Sequence, residues 1–215
     1  MAKENIMNSH VERYSQTVVV LSGNTHRPSK SRSLAHHLGD RLAERTPVNI
    51  TRLDLVDAGR ELGSAVQRQE LGRQALGVLE AVETADALIV VAPIYKGSYP
   101  GLFKHLIDFV DPLALVGRPV LLGATGGGQR HALAVEHQFR PLFGFFSALT
   151  VPSAVYASDG DFVAGLPADG ALLERAGQAV DQLATLLAAR PARAEPAAAV
   201  RFSIVANGRD QANAG

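Results

Sequence analysis

TVVVLSGNTHRPSKSRSLAHHL, residues 17–38, decides the fold. A short apolar run, Val18 to Leu21, stops at a small polar loop of Ser22, Gly23, Asn24, Thr25, Ser29, Ser31 and Ser33 that also carries His26, Arg27, Lys30 and Arg32. A helical pattern follows at once. Strand, loop and helix in that order form half of a βαβ unit, and the chain goes on repeating it. Strand-like segments fall at Thr17–Leu21, Val48–Leu53, Ala87–Val91, Pro119–Gly123 and Val151–Tyr156. Helical patterns fall between and after them, near 31–45, 67–84, 101–110, 131–148 and 170–189.

The strands ALIVVA (87–92) and PVLLGA (119–124) are continuously apolar rather than alternating, as a sheet covered on both faces requires. The expectation is an α/β, three-layer sandwich with a five-stranded parallel sheet. Right-handed crossovers leave few orders for five such strands, and the flavodoxin-like order 2-1-3-4-5 is the expected one. In that order the loops after strands 1, 3 and 4 meet at the C-terminal edge of the sheet, where open α/β sheets bind ligands.

Composition narrows the setting. The 215 residues suit one domain, expected over 17–190, with a flexible arm at 1–16 and an Ala-rich, disordered extension at 191–215. Within that extension Val200–Ala206 offers an alternative as an added strand or a grip on a partner subunit. Twenty-one basic residues balance 21 acidic ones, so bulk charge gives no reason to expect nucleic acid or an anionic membrane as partner. With no cysteine, disulfides, thiolate metal sites and cysteine nucleophiles are excluded. No stretch has the apolar h-region of a signal peptide or the length of a membrane span, and the expectation is a cytoplasmic protein.

Each of the three converging loops has a chemistry of its own. The first joins hydroxyls, backbone N–H groups at a helix N-terminus and positive charge, which makes an anion cradle. The alternative is an ordinary βα loop whose serines cap the helix. It lacks the Gly-Lys pair of a nucleotide P-loop and the G-x-G-x-x-G spacing of a dinucleotide fold, so a single phosphate is expected. The second loop, in APIYKGSYPGLFKHLIDFV (92–110), sets Pro93, Tyr95, Tyr99, Gly97 and Gly101 as a wall for a flat ring. The third, ATGGGQRH (124–131), offers exposed backbone N–H groups after strand 4 to a heteroaromatic edge or a second anion, with a simple tight turn as the alternative. Cradle, aromatic wall and Gly-rich surface are together the parts needed to hold FMN at a flavodoxin-type switch point.

The elements SGNTHRPSKSRSL, APIYKGSYPGLFKHLIDF, LLGATGGGQRHAL and VEHQFRPLFGFF also carry a resemblance. Over Val18 to Phe162 the chain resembles the NADPH-dependent FMN reductases of two-component sulfonate and sulfone monooxygenase systems, the MsuE type related to SsuE. The resemblance implies hydride transfer from NADPH or NADH to FMN and delivery of reduced FMN to a partner monooxygenase. It implies that Asn24, His26, Ser29 and Ser31 hold the phosphate. Pro93, Tyr95, Lys96, Gly97, Ser98, Thr125, Gly126, Gly127 and Gly128 would line the ring. His26 departs from the Arg common among such proteins, and a histidine grips phosphate more weakly. His137 stands where a Tyr marks a π-bulge in alkanesulfonate-type relatives; a polar helix residue at a subunit contact is the alternative.

No Ser–His–Asp set and no metal-ligand spacing stands out, and no side chain is assigned a catalytic role, since hydride transfer to a flavin needs alignment more than a protein acid or base. Two other functions remain in view: an FMN-retaining quinone, azo or chromate reductase, and a non-enzymatic flavodoxin-like electron carrier. The helix at 101–110 and the run 141–149, with Phe143, Phe145 and Phe146, carry surplus apolar surface. A homodimer or homotetramer sharing the flavin site is expected from them.

Overall fold

The computed structural model describes residues 15–190. The arm, save its last two residues, and the extension with Val200–Ala206 lie outside the described residues. The elements run β1 (Gln16–Ser22), α1 (Lys30–Ala43), β2 (Val48–Asp54), α2 (Arg73–Thr84), β3 (Ala87–Pro93), α3 (Gly101–Asp108), β4 (Pro119–Gly126), α4 (Arg140–Phe145), β5 (Leu149–Thr150), β6 (Val155–Ser158), β7 (Phe162–Val163), β8 (Leu166–Pro167) and α5 (Gly170–Ala188). The main sheet is parallel throughout, in the order β2-β1-β3-β4-β5, with β6 also against β4. The flavodoxin-like order is thus the observed one.

The apolar runs explain the layers. Val18 and Val20 of β1 face one core with Ile89, Val91 and Leu121, under α1 and α5. Val19 and Leu21 face the other, with Leu88, Val90, Val120 and Leu122, under α2, α3 and α4. Alternate residues thus serve opposite cores, and each buried Val or Leu contributes about 1.5–3 kcal/mol. No helix among the described residues is long and apolar enough to cross a membrane.

Three expected elements are corrected. The fifth strand, read as Val151–Tyr156, is two pieces: β5 pairs with Pro119–Val120 and β6 with Gly123–Gly126. Pro152, which has no N–H to give a ladder, sits in the gap. The helix read from residue 67 begins instead at Arg73. Arg68–Glu70 is a 3-10 turn closed reciprocally by Gln67 and Glu70, and Leu71 is extended behind it.

The helix read over 131–148 breaks into a 3-10 turn (Gln129–His131), a π-turn (Val135–Phe139) and α4. His137 N–H donates to Leu133 O, four residues back, whereas Arg140 N–H donates to Val135 O, five back. Pro141 supplies the cause. A proline ring inside a helix clashes with the carbonyl four residues earlier, here that of His137, and offers no N–H to it, so the turn widens. Glu136 and Arg140 clamp the widened turn through two hydrogen bonds of 2.5 and 2.9 Å.

The surplus apolar surface is smaller than the sequence suggests. Phe143 and Phe146 of the 141–149 run are buried within the chain, as are Phe103, Leu106 and Ile107 of α3, while Phe145 is 72% exposed.

Candidate active site

The C-terminal ends of β1, β3 and β4 bring the three loops to one cleft of about 320 Å³, lined by His26, Ser29, Ser31, Pro93, Tyr95, Thr125, Gly126 and Gly127, together with Pro28, Lys30, Ile94 and Asp159. Asn24, Lys96, Gly97, Ser98 and Gly128 stand outside that lining, and so does His137, which is exposed on the π-turn. The sequence reading placed Lys30 in the first loop but missed Asp159 and their pairing, because the two lie 129 residues apart.

The first loop is held from below. Asp54, at the end of β2, is 0% exposed in its side chain and receives two hydrogen bonds from Arg27, at 2.7 and 2.8 Å. Arg32 lies 3.2 Å from the same carboxylate. Burial alone would raise the Asp54 carboxyl, but the Arg27 guanidinium and the Asn24 amide outweigh it and hold it below the usual carboxylate range. Asn24, expected at the phosphate, is itself fully buried. Its Nδ2 donates to His26 O at 2.9 Å and to Asp54 at 3.2 Å, so it shapes the loop from beneath.

Above this base lies the N-terminus of α1. Ser29 is its N-cap, accepting from Arg32 N–H at 3.4 Å. The capping alternative therefore holds for Ser29, yet the hydroxyl proton stays available to a ligand. Ser31 Oγ and Thr125 Oγ1 are 2.6 Å apart and buried, tying α1 to the end of β4. These hydroxyls, the first amides of α1 and exposed His26 suit a single phosphate, so the residues present fit the phosphate end of FMN.

The other end of the cleft is flanked by the loops after β3 and β4. Lys96 (φ 54°) and Gly97 (φ 90°) form a two-residue turn in which Tyr95 N–H donates to Ser98 O at 2.7 Å and Ser98 N–H to Tyr95 O at 3.2 Å. Positive φ at both positions is the I′ hairpin geometry. Ser98 Oγ donates to Gln138 Oε1 at 3.0 Å, fastening this turn to the π-turn. Across the cleft, Tyr156 Oη donates to Gly128 O at 2.6 Å. A Cβ on Gly126 would lie 2.4 Å from that Oη, so only glycine allows the tyrosine its place. Burial, with Asp159 and Asp161 nearby, raises the Tyr156 hydroxyl above its ordinary pKa and keeps it a donor.

The model for NADPH-dependent FMN reductase matches residues 16–162, which include every loop of this cleft. The chain belongs to that family. The reductase is 52% identical over 145 residues to the NADH-dependent FMN reductase SfnF of Pseudomonas fluorescens, covering 67% of this chain and 78% of that relative. It is 47% identical over 145 residues to an FMN reductase (NADPH) of Pseudomonas aeruginosa, with the same coverage. Among solved structures, the apo form of the NADH:FMN oxidoreductase EMOB matches with a TM-score of 0.74 at 26% identity, over 82% of this chain and 92% of that one. A flavodoxin from the Archaea, at 10% identity and a TM-score of 0.56 over 80% and 99% of the two chains, shares the fold alone. The reductase is thus an oxidoreductase that uses FMN and a nicotinamide nucleotide.

Proposed function

We propose that this reductase takes FMN as a substrate and hands it on reduced, to a flavin-dependent monooxygenase acting on sulfonates or sulfones. The observation that carries the reading is the charge balance of the cradle. Arg27 is matched to Asp54 and Asp57, Arg32 to Asp54, and Lys30 to Asp159. Each of these cations already has a carboxylate, so the phosphate is met chiefly by neutral hydroxyls, helix amides and His26. A dianion held in that way is held selectively and loosely.

Bound FMN supplies the redox chemistry, accepting a hydride from the nicotinamide of NADPH or NADH. The chain's own residues bind and orient. Ser29, Ser31 and the start of α1 hold the phosphate. Pro93, Tyr95 and the Lys96–Gly97 turn form one wall for the ring, and Thr125–Gly128 the other. No side-chain acid or base is needed for that transfer, and alignment accounts for the rate. The reading also takes a second copy of the chain to cover exposed Phe145, Leu133 and Leu149.

The test is gel filtration of the protein after saturation with FMN, followed by an assay of NADPH and NADH oxidation. The expected result is colourless protein whose nicotinamide oxidation depends on added FMN. Stoichiometric yellow protein would overturn the release reading, and nicotinamide oxidation without added flavin would do the same.

A further inference from the structure

One ion pair crosses the mouth of the flavin cleft. Lys30 Nζ, on the first residue of α1, donates to Asp159 Oδ1 at 2.8 Å. The ammonium also lies 5.5 Å from the centre of the Phe162 ring. The other carboxylate oxygen faces the glycine loop, for a Cβ on Gly127 would lie 3.9 Å from Asp159 Oδ2. The pair thus spans from the phosphate cradle to the loop after β4, the two elements a bound flavin must lie between.

The backbone of Asp159 is fixed. It opens the 3-10 turn Asp159–Asp161, in which Ser158 donates to Asp161 Oδ2 from its N–H at 2.6 Å and from its Oγ at 3.0 Å. That turn spends the Asp161 carboxylate on the cap and leaves Asp159 as the acidic side chain that lines the cleft. Both partners of the crossing pair are well hydrated, with side chains 41% and 64% exposed, so their mutual attraction is weak and easily exchanged.

We propose that Asp159 determines how tightly this reductase holds the flavin phosphate, as a resident carboxylate that competes with the phosphate for Lys30. The inference rests on the assignment of the phosphate to Ser29–Ser31. An incoming dianion meets one movable cation, because Arg27 and Arg32 are anchored by buried Asp54. Lys30, whose ammonium also lies 3.5 Å from Asp159 O, answers the phosphate at the expense of its bond to the Asp159 carboxylate. The carboxylate so released stays at the rim, where it repels the phosphate and favours its departure. Riboflavin, which has the same ring and no phosphate, is indifferent to the exchange. Oxidised and reduced FMN carry the same phosphate, so both leave through it.

The test is the ratio of riboflavin to FMN dissociation constants, by quenching of flavin fluorescence, in the wild type, Asp159→Asn and Lys30→Met. The wild type is expected to bind FMN more tightly than riboflavin. Asp159→Asn is expected to tighten FMN about fivefold, the upper end for an exposed ion pair, and to leave riboflavin unchanged; Lys30→Met lowers the ratio. An unchanged ratio in Asp159→Asn, or an equal shift for both flavins, overturns the competition. A wild-type ratio of one overturns the phosphate assignment itself and the proposal with it, which separates the two failures.

Discussion

Substituting Gly126 by Ala sets a methyl group against one atom of one side chain. The new Cβ would lie 2.4 Å from Tyr156 Oη but 3.4 Å from Cζ and 3.6 Å from Cε2. Only the hydroxyl is in the way. To clear it, the hydroxyl must move by about 1 Å, since carbon contacts settle near 3.5 Å, and in doing so it gives up Gly128 O. We expect Gly126→Ala to cost about 2 kcal/mol, the sum of a lost neutral hydrogen bond and modest overpacking. Tyr156→Phe removes the same hydrogen bond without crowding and costs about 1 kcal/mol. In the double variant the methyl group meets a ring carbon at ordinary contact distance, so the pair together costs about 1 kcal/mol rather than 3, a coupling of about 2 kcal/mol. Urea unfolding of the four proteins measures the cycle, and FMN titration alongside shows whether the glycine loop keeps its shape. Additivity within about 0.5 kcal/mol would refute the reasoning, because it would mean that the hydroxyl and Gly126 do not share that space.

Three further outcomes follow from the cradle and the ring wall. Asp54→Asn lowers stability at pH 7 by about 2–3 kcal/mol, less than for a fully buried pair because Arg27 is partly solvated. The folded carboxyl of Asp54 is depressed, so its contribution is present above the ordinary carboxylate value of about 4 and is lost as pH falls further. Thermal melts of wild type and variant should therefore begin to converge below about pH 4 and meet only as pH falls through the depressed folded value, and a gap that stays constant as pH is lowered from about 5 would count against the assignment. Lys96→Asn places a residue tolerant of φ 54° in the turn and raises stability by about 0.5 kcal/mol, read as a higher melting temperature. His26→Arg adds a permanent charge to the exposed cradle rim and should tighten FMN about threefold or more with riboflavin unchanged; no change would show that His26 does not touch the phosphate.

What the sequence disclosed depended on how local each signal was. The strands were legible because a strand covered on both faces must be apolar at every position, and β1, β3 and β4 are buried almost throughout. The loops after them were legible because glycines, serines and a proline sit beside the strand that aims them. Pairings across the fold were not. Asp54 gives no sign in VNITRLD that it will anchor two arginines from another loop, and nothing near YAS marks Tyr156 as the holder of Gly128. The partners of the basic residues in the first loop were not legible for the same reason, since the neutralising carboxylates come from elsewhere in the chain. The π-turn did leave a trace. Pro141 stands inside a run that otherwise reads as helix, and a proline there must break, kink or widen it.

The interruption of the last strand at Pro152 has a consequence for assembly. A parallel sheet ends in two rows of unpaired backbone groups, and a long flat edge invites another chain to add a strand. Here one edge is cut into pieces of two and four residues with a proline between them. The other edge, β2, presents Asn49, Thr51 and Arg52 to solvent. Among the described residues the interrupted edge is thus a poor template for strand addition. A strand laid against the β5–β6 side would lose its ladder at Pro152, so that side of the sheet is closed to runaway, edge-to-edge growth.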